Sequence, residues 1–322
     1  VLGIIIWQMQ TDASVGYQQT DRRIKERVCR RALDSVPGLA GRMLAEEVND
    51  LRVDSLNDEW CQAKCFDIGE VRVEISIEDC ARRFDLRSLL VEDEDQAALN
   101  MENFVAFAVE CGLEERVARN LAEVIMEEAK DRAAEDKAFV EQAAEEGAES
   151  QQTPVEQLLP VWLEDFLDLP GLSEEDRQAI QTARSSSIDP VTGEEVSVRF
   201  LDQLTVWRES QVNINTASRE VLLHGVPGLE GRAEVVDEIL RMRAESPFTH
   251  VAQLGNISGL TREESRHLAK QVRLNSTLFR VSATATLRKT ERPAAMRKAT
   301  MTLILLRQGK DSFKTLWKSV SV

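Results

Sequence analysis

The sequence predicts an α+β chain in which a long N-terminal helix packs on a small antiparallel sheet and a large all-α insert interrupts that sheet. Three observations predict it. Apolar and polar residues alternate strictly from Val71 to Glu78, and alternation returns only after Leu274. The residues between those stretches follow helical spacing over most of their length. A short connector also recurs: VPGLAGR at 36–42, LPGLSEED at 169–176, VPGLEGR at 226–232 and ISGLTREE at 257–264. In each, Pro or Ser followed by Gly turns the chain sharply between two helical stretches. The irregular spacing of the four excludes a solenoid.

The boundaries that follow are 1–91 for the N-terminal stem helix and first strand or strands, 92–205 and 206–275 for two helical modules, and 276–322 for the strands that complete the sheet.

At 322 residues, 43% apolar and 30% charged, the chain is long enough for two or three domains with an ample core. The net charge of −16 is unevenly placed: residues 92–200 hold 28 acidic and 8 basic side chains, 201–279 hold 10 and 9, and 280–322 hold 2 and 10. Duplex binding rests on neutralising phosphates with Lys and Arg, so a near-neutral module beside so acidic a block is poorly suited to it. The acidic block reads as a solvated helical surface, and the basic C-terminus as a solvated strand face.

In chain order, VLGIIIW at 1–7 has no polar side chain, and it precedes a polar, charged helix. The expectation is that Ile4, Ile5, Ile6 and Trp7 belong to a longer apolar stem, because a complete membrane span needs about 20 apolar residues. Residues 8 to about 53 read as one long helix. Ile24, Val28, Ala32 and Val36 form its expected buried stripe, and Pro37-Gly38 interrupts it. Asn57–Asp67 reads as a loop holding Trp60, Cys61 and Cys65. In the strand that follows, Val71, Val73, Ile75 and Ile77 share one face.

Helices are expected over 103–111, 117–140 and 158–169, and loops over 143–154 and 185–195. Strands are expected over 278–289 and 299–308, joined as a hairpin. The second module opens with VNIN, where Thr216 or Asn215 offers a capping oxygen and Glu220 sits in the first turn. Its hairpin turns at Pro227-Gly228. A second helix spans 233–244, ended by Ser246-Pro247. This is a helix-hairpin-helix or SAM-like packing unit.

Two families write a module in this way. In DNA-binding helix-hairpin-helix proteins the hairpin amides hold a phosphate. The K-type minor pseudopilins of bacterial type II secretion carry such modules as scaffold, and this chain resembles them along nearly its whole length. The resemblance rests on Arg83-Phe84-Asp85-Leu86-Arg87-Ser88-Leu89 after the strand and on Asn213–Ala217, with Asn213, Asn215 and Thr216 defining the module. It continues through Val221-Leu222, Pro227-Gly228-Leu229, Arg243 and Pro247-Phe248, and ends with Ser276, Phe279, Val281 and Arg307.

The resemblance implies a pilin-like fold and a non-enzymatic, structural role at the tip of a periplasmic pseudopilus. It also implies I-type and J-type minor pseudopilins and the major subunit as partners, and an inner-membrane anchor through the N-terminal helix. The globular part would be periplasmic. Ile24, Val28 and Ala32 are the expected partner interface.

No cofactor is expected. Some members of the family bind calcium, but MEEAKDRAAED at 126–136 lacks the spacing and turn-forming Gly of a calcium loop. Cys61 and Cys65 have no second ligand pair at zinc spacing. His224, His250 and His267 are isolated in sequence, and no catalytic constellation is legible. In an oxidising compartment, disulfides among Cys61, Cys65 and Cys80 are plausible, while Cys29 and Cys111 have no assigned mate. The alternative function is a helix-hairpin-helix DNA-binding protein. Its weakness is the acid-rich helix after the hairpin, with Glu234, Asp237 and Glu238.

Overall fold

The computed structural model describes residues 19–20, 23–46, 53–91, 93–145, 163–188, 195–207, 211–288, 298–309 and 311–321. The expected stem residues Ile4, Ile5, Ile6 and Trp7 lie outside them, as do the turn at 289–297 and most of the loops at 143–154 and 185–195. The chain divides into two units: 1–50, 57–79 and 277–322 form the first, and 51–56 with 80–276 the second.

The first unit contains helix α1 (23–33), helix α2 (Val36–Glu46), and strands β1 (Lys64–Ile68) and β2 (Val71–Asp79). Its three remaining strands follow the second unit in sequence and are numbered there. The expected interruption of the helix is present at residues 34–35. Pro37 has no N–H to give to a carbonyl one turn back, so the ladder breaks there and restarts, with Leu39 N–H donating to the Ser35 carbonyl at 3.0 Å.

The second unit opens with the short strand β3 (Phe84–Asp85) and then helices α3 (Glu94–Glu110) and α4 (Glu115–Glu145). Helix α5 (Glu174–Thr182) leads into a hairpin of β4 (Arg184–Ile188) and β5 (Glu195–Arg199), followed by β6 (Leu204–Thr205) and β7 (Val212–Asn213). Helices α6 (Arg219–Gly225), α7 (Ala233–Glu245) and α8 (Arg262–Gln271) and strand β8 (Val272–Arg273) complete it.

The chain then returns to the first unit as β9 (Leu278–Leu287), β10 (Lys298–Arg307) and β11 (Phe313–Ser321). These strands complete a five-stranded antiparallel sheet in the order β1-β2-β9-β10-β11, with Ile75 opposite Ala283 across the β2–β9 seam. Its inner face carries Val73, Ile75, Val281, Ala285, Met301 and Leu303. These pack with Cys29, Leu33, Val36, Ala40 and Leu44 of the helices. Trp60 closes one side edge-on to Phe279, with ring centroids 5.5 Å apart, and the Arg307 guanidinium lies 4.6 Å from the Phe279 ring centre.

The second unit is organised around four phenylalanines. Phe84 stacks on Phe107 at 4.7 Å, and Phe104 and Phe200 join them at centroid distances of 5.7–6.3 Å. The same apolar cluster runs on through Ile214, Leu222, Val236 and Leu268, so both hairpin-bearing stretches share one core. Gly112 ends α3 at φ +87°, and a Cβ there would run into the Arg184 carbonyl, so only glycine fits.

The α+β class, the interruption of the sheet and the alternation of β2 hold as expected. Several local expectations do not. The insert is not purely α, because β4–β5, β3–β6 and β7–β8 pair within it. The presumed loop at 57–67 contains β1, and the C-terminal hairpin gains a third strand, β11. Helix α3 starts nine residues before Asn103, where Asp93 caps it by accepting from Gln96 N–H at 2.8 Å. Residues 163–168 are a 3₁₀ turn rather than part of an α-helix. Of the expected buried stripe only Ala32 and Val36 are inside, while Ile24 is 56% and Val28 38% exposed. Positions four apart drift by about 40° around a helix, so a row that begins outside rotates inward along its length.

The α5 start illustrates how the acidic block is held. Asp176 is buried and closes a capping box with Ser173. Its carboxylate accepts from Ser173 Oγ at 2.8 Å and Asn120 Nδ2 at 3.0 Å, and Arg116 Nη1 lies 3.0 Å away. The Ser173 hydroxyl first, with the Ser173 amide and the Arg116 charge, holds this carboxyl below its ordinary range. A depressed folded pKa means stability that is complete above the unfolded value of about 3.9 and lost as pH falls through the folded value. Asp176→Ala is expected to lower unfolding free energy by about 2 kcal/mol at neutral pH. Urea titrations should show the gap to wild type narrowing below about pH 4.

Candidate functional site

The structure places the expected module-defining residues Asn213, Asn215 and Thr216 in the interior of the second unit. Asn213 is fully buried at the end of β7. Its Nδ2 donates to Ser276 Oγ at 3.1 Å and the Asp54 carbonyl at 3.3 Å, and its Oδ1 accepts from Asn215 N–H at 3.0 Å. Asp54 in turn accepts from Ser276 N–H at 2.7 Å. Asn215 clamps Phe248 with both ends of its amide, donating to the carbonyl at 3.0 Å and accepting from N–H at 2.8 Å. The Thr216 hydroxyl turns back to the Asn213 carbonyl at 3.4 Å. The α6 cap is neither Thr216 nor Asn215 but Ser218, which accepts from Val221 N–H.

Arg243 donates to the Ile214 carbonyl at 2.8 Å. Burial, with a smaller push from Arg82, lowers its pKa to about 10, so it remains charged at neutral pH. These polar groups are all satisfied in a low-dielectric interior, where each one left unpaired costs about 1–3 kcal/mol. They fix backbone; they do not present reactive atoms.

Pro227 and Gly228 sit exposed at the hairpin tip, with Gly228 at φ +93°. Glu230 reaches back to accept from Gly228 N–H at 2.6 Å. In a phosphate-binding hairpin that amide must be open to the anion; here the chain's own carboxylate holds it. Arg232 joins this hairpin to the next, donating to Glu264 at 2.7 Å and to the Gly259 carbonyl at 2.6 Å. Glu264 is itself the capping-box partner of Thr261. Along α7, Asp237 pairs with Arg219 and Glu238 with Arg241, so the helix beyond the hairpin presents carboxylates engaged with neighbouring arginines.

Beside the hairpin lies a polar cleft of about 520 Å³, lined by residues including Arg83, Asp85, Asn103, His224, His267 and Gln271. His224 is near Glu110, with Nε2–Oε2 at 3.2 Å, and His250 starts the next 3₁₀ turn. His224 and His267 line the same cleft, whereas His250 is not part of its lining. Among the described residues no group of three or more His, Cys, Asp or Glu side chains is placed to hold a metal ion. None of the five cysteines is in a disulfide. Cys29, Cys80 and Cys111 are buried, Cys61 half-buried and Cys65 exposed, so the plausible disulfides are not formed. Burial, with Glu220 and Glu110 nearby, pushes the Cys111 thiol far up, which makes it an inert core residue.

The expected interface residues divide. Ala32 is buried in the first unit, whereas Ile24 and Val28 face outward from α1 one turn apart. Among the described residues no helix is long and apolar enough to cross a membrane.

Residues 208–273 match the helix-hairpin-helix motif family. No curated protein matches the chain in sequence. In three dimensions the chain is similar to a chain of the GspK-GspI-GspJ complex from the type 2 secretion system of enterotoxigenic Escherichia coli. The TM-score is 0.57 at 13% sequence identity, covering 94% of this chain and 99% of that chain. The fold is therefore GspK-like.

Asn215→Ala is expected to cost about 2–3 kcal/mol, because it strands both backbone groups of Phe248. A chemical denaturation midpoint measures it. Glu230→Ala should change stability by under about 1 kcal/mol, the hairpin being exposed. Fluorescence anisotropy with labelled duplex DNA should then show no salt-sensitive binding. A gain of such binding on freeing the Gly228 amide would mean that the hairpin is a phosphate site held shut.

Proposed function

We propose that this chain is the K-type minor pseudopilin of a type II secretion system, a structural subunit at the pseudopilus tip with no catalytic role. The observation that carries the reading is the GspK-like fold, which extends over 94% of this chain and 99% of its structural neighbour. That extent includes the helical unit inserted between β2 and β9, the feature that sets this architecture apart from a plain sheet with one helix. The neighbour was crystallised with GspI and GspJ. The proposed partners are accordingly the I-type and J-type minor pseudopilins, with the major subunit below them.

In this reading the apolar Val1–Trp7 belongs to a stem anchored in the inner membrane, and the globular part is periplasmic. A bulky inserted unit would obstruct stacking of another subunit above it, which suits a position at the tip. The exposed Ile24 and Val28 on α1 are the proposed contact with a neighbouring subunit.

The helix-hairpin-helix match supports a DNA-binding reading only as far as the packing unit goes. Glu230 on the hairpin amide and the carboxylates of α7 work against a phosphate there.

The test is co-elution of this chain with the I-type and J-type pseudopilins of its own organism. A stable complex at defined stoichiometry is expected. Val28→Glu should weaken it without altering the far-ultraviolet spectrum of the helical unit. Absence of any complex, together with salt-sensitive binding to duplex DNA, would overturn the proposal.

A further inference from the structure

Helix α1 has two unlike sides. Its buried side holds Cys29, Ala32 and Leu33. The outward side carries Ile24 and Val28 together with four exposed arginines, Arg23, Arg27, Arg30 and Arg31. At 3.6 residues per turn, Ile24, Arg27, Val28 and Arg31 fall within an arc of roughly 100°. No carboxylate is paired with any of the four arginines among the described residues. The exposed acid that follows them, Asp34, is engaged by Lys318 at 3.2 Å.

Arg23 and Arg27, and again Arg27 and Arg31, stand four apart, where like charges repel along a helix. The chain as a whole carries −16, so this face is a local field of the opposite sign. An apolar pair flanked along one side by arginines that no described carboxylate offsets is incomplete as a free surface.

We infer that this face docks a second helix, one whose own apolar stripe is bordered by carboxylates. Ile24 and Val28 form an i, i+4 ridge of the kind that seats in the groove of a facing helix. The guanidinium forks all lie along one side of that ridge and match carboxylates in paired, charge-assisted hydrogen bonds, which supply register and partner choice. A lipid surface suits the face less well. A helix lying on a membrane needs a continuous apolar side, and the continuous apolar side of α1 is already spent on the sheet. The inference rests on the assembly proposed above and adds to it the charge of the partner.

The test compares wild type, Arg27→Glu/Arg31→Glu and, as a control for overall charge, Lys314→Glu on the exposed edge strand β11. Each is titrated against the I-type and J-type pseudopilins and, separately, against phosphatidylglycerol vesicles. Circular dichroism verifies that each variant is folded. The double variant should bind its pseudopilin partner at least about tenfold more weakly, with Lys314→Glu near wild type. Wild-type affinity should fall as salt rises from about 0.05 to 0.5 M. A wild-type complex indifferent to salt and to the double variant overturns the inference and leaves the assembly intact. Vesicle binding that the double variant abolishes, with pseudopilin binding unchanged, overturns it in favour of a lipid surface. A wild-type chain that binds no pseudopilin overturns both the assembly and the inference.

Discussion

The pairing of β2 with β9 is the constraint on which the rest depends. β2 ends at Asp79 and β9 begins at Leu278, yet the two strands run in register along their whole length, from Val71 opposite Leu287 to Asp79 opposite Phe279. Closing a loop grows more costly only with the logarithm of its length, about 0.6 kcal/mol per doubling, so a long insertion is thermodynamically tolerable. What it requires is an insert that folds upon itself. The second unit meets that requirement with its own aromatic core and with a polar knot that ties its C-terminal end to the segment around Asp54. Asp54 N–H donates to the Leu274 carbonyl at 2.9 Å, Ser276 N–H donates to the Asp54 carboxylate, and Asn213 binds both Asp54 and Ser276.

The same reasoning separates scaffold from site. The stretch VPGLEGR has the grammar of a phosphate-binding hairpin, and its backbone takes the expected shape, with Gly228 in the left-handed region. Side chains decide what that shape does. Glu230 occupies the Gly228 amide and Arg232 is committed to Glu264 and Gly259, so the donors a phosphate would need are used within the fold. A shared backbone motif does not by itself carry a shared chemistry.

Much of the architecture was legible because it rests on local periodicity. The alternation of β2 and β9, the long run of α4 and the turns at Pro170-Gly171 and Pro227-Gly228 all follow from spacing or from φ preferences. The misses share a cause. β1 carries Lys64, Cys65, Phe66, Asp67 and Ile68 at one edge of the sheet and β11 lies at the other, where half of each strand's surroundings is solvent and selection for alternation is weak. Arg184–Ile188 holds three serines in a row and reads as a loop, but pairing with Glu195–Arg199 makes it a strand. At 94–102 the Ala-rich, acidic start of α3 lacks an apolar stripe, and the Asp93 cap that begins it is visible only once the chain is folded.

By itself, the sequence determined the strongly periodic helices and strands, where glycine and proline must turn the chain, and that the middle is acidic. It could not determine which stripe of α1 faces inward. Ile24-Val28-Ala32 and Cys29-Leu33-Val36 are comparably apolar at helical spacing, and local propensity does not distinguish them. The choice fell to a sheet whose last two strands lie more than about 260 residues downstream, which covers Cys29, Leu33 and Val36 and leaves Ile24 and Val28 outside. Burial is a property of two surfaces, and the second surface exists only after the distant strands have paired.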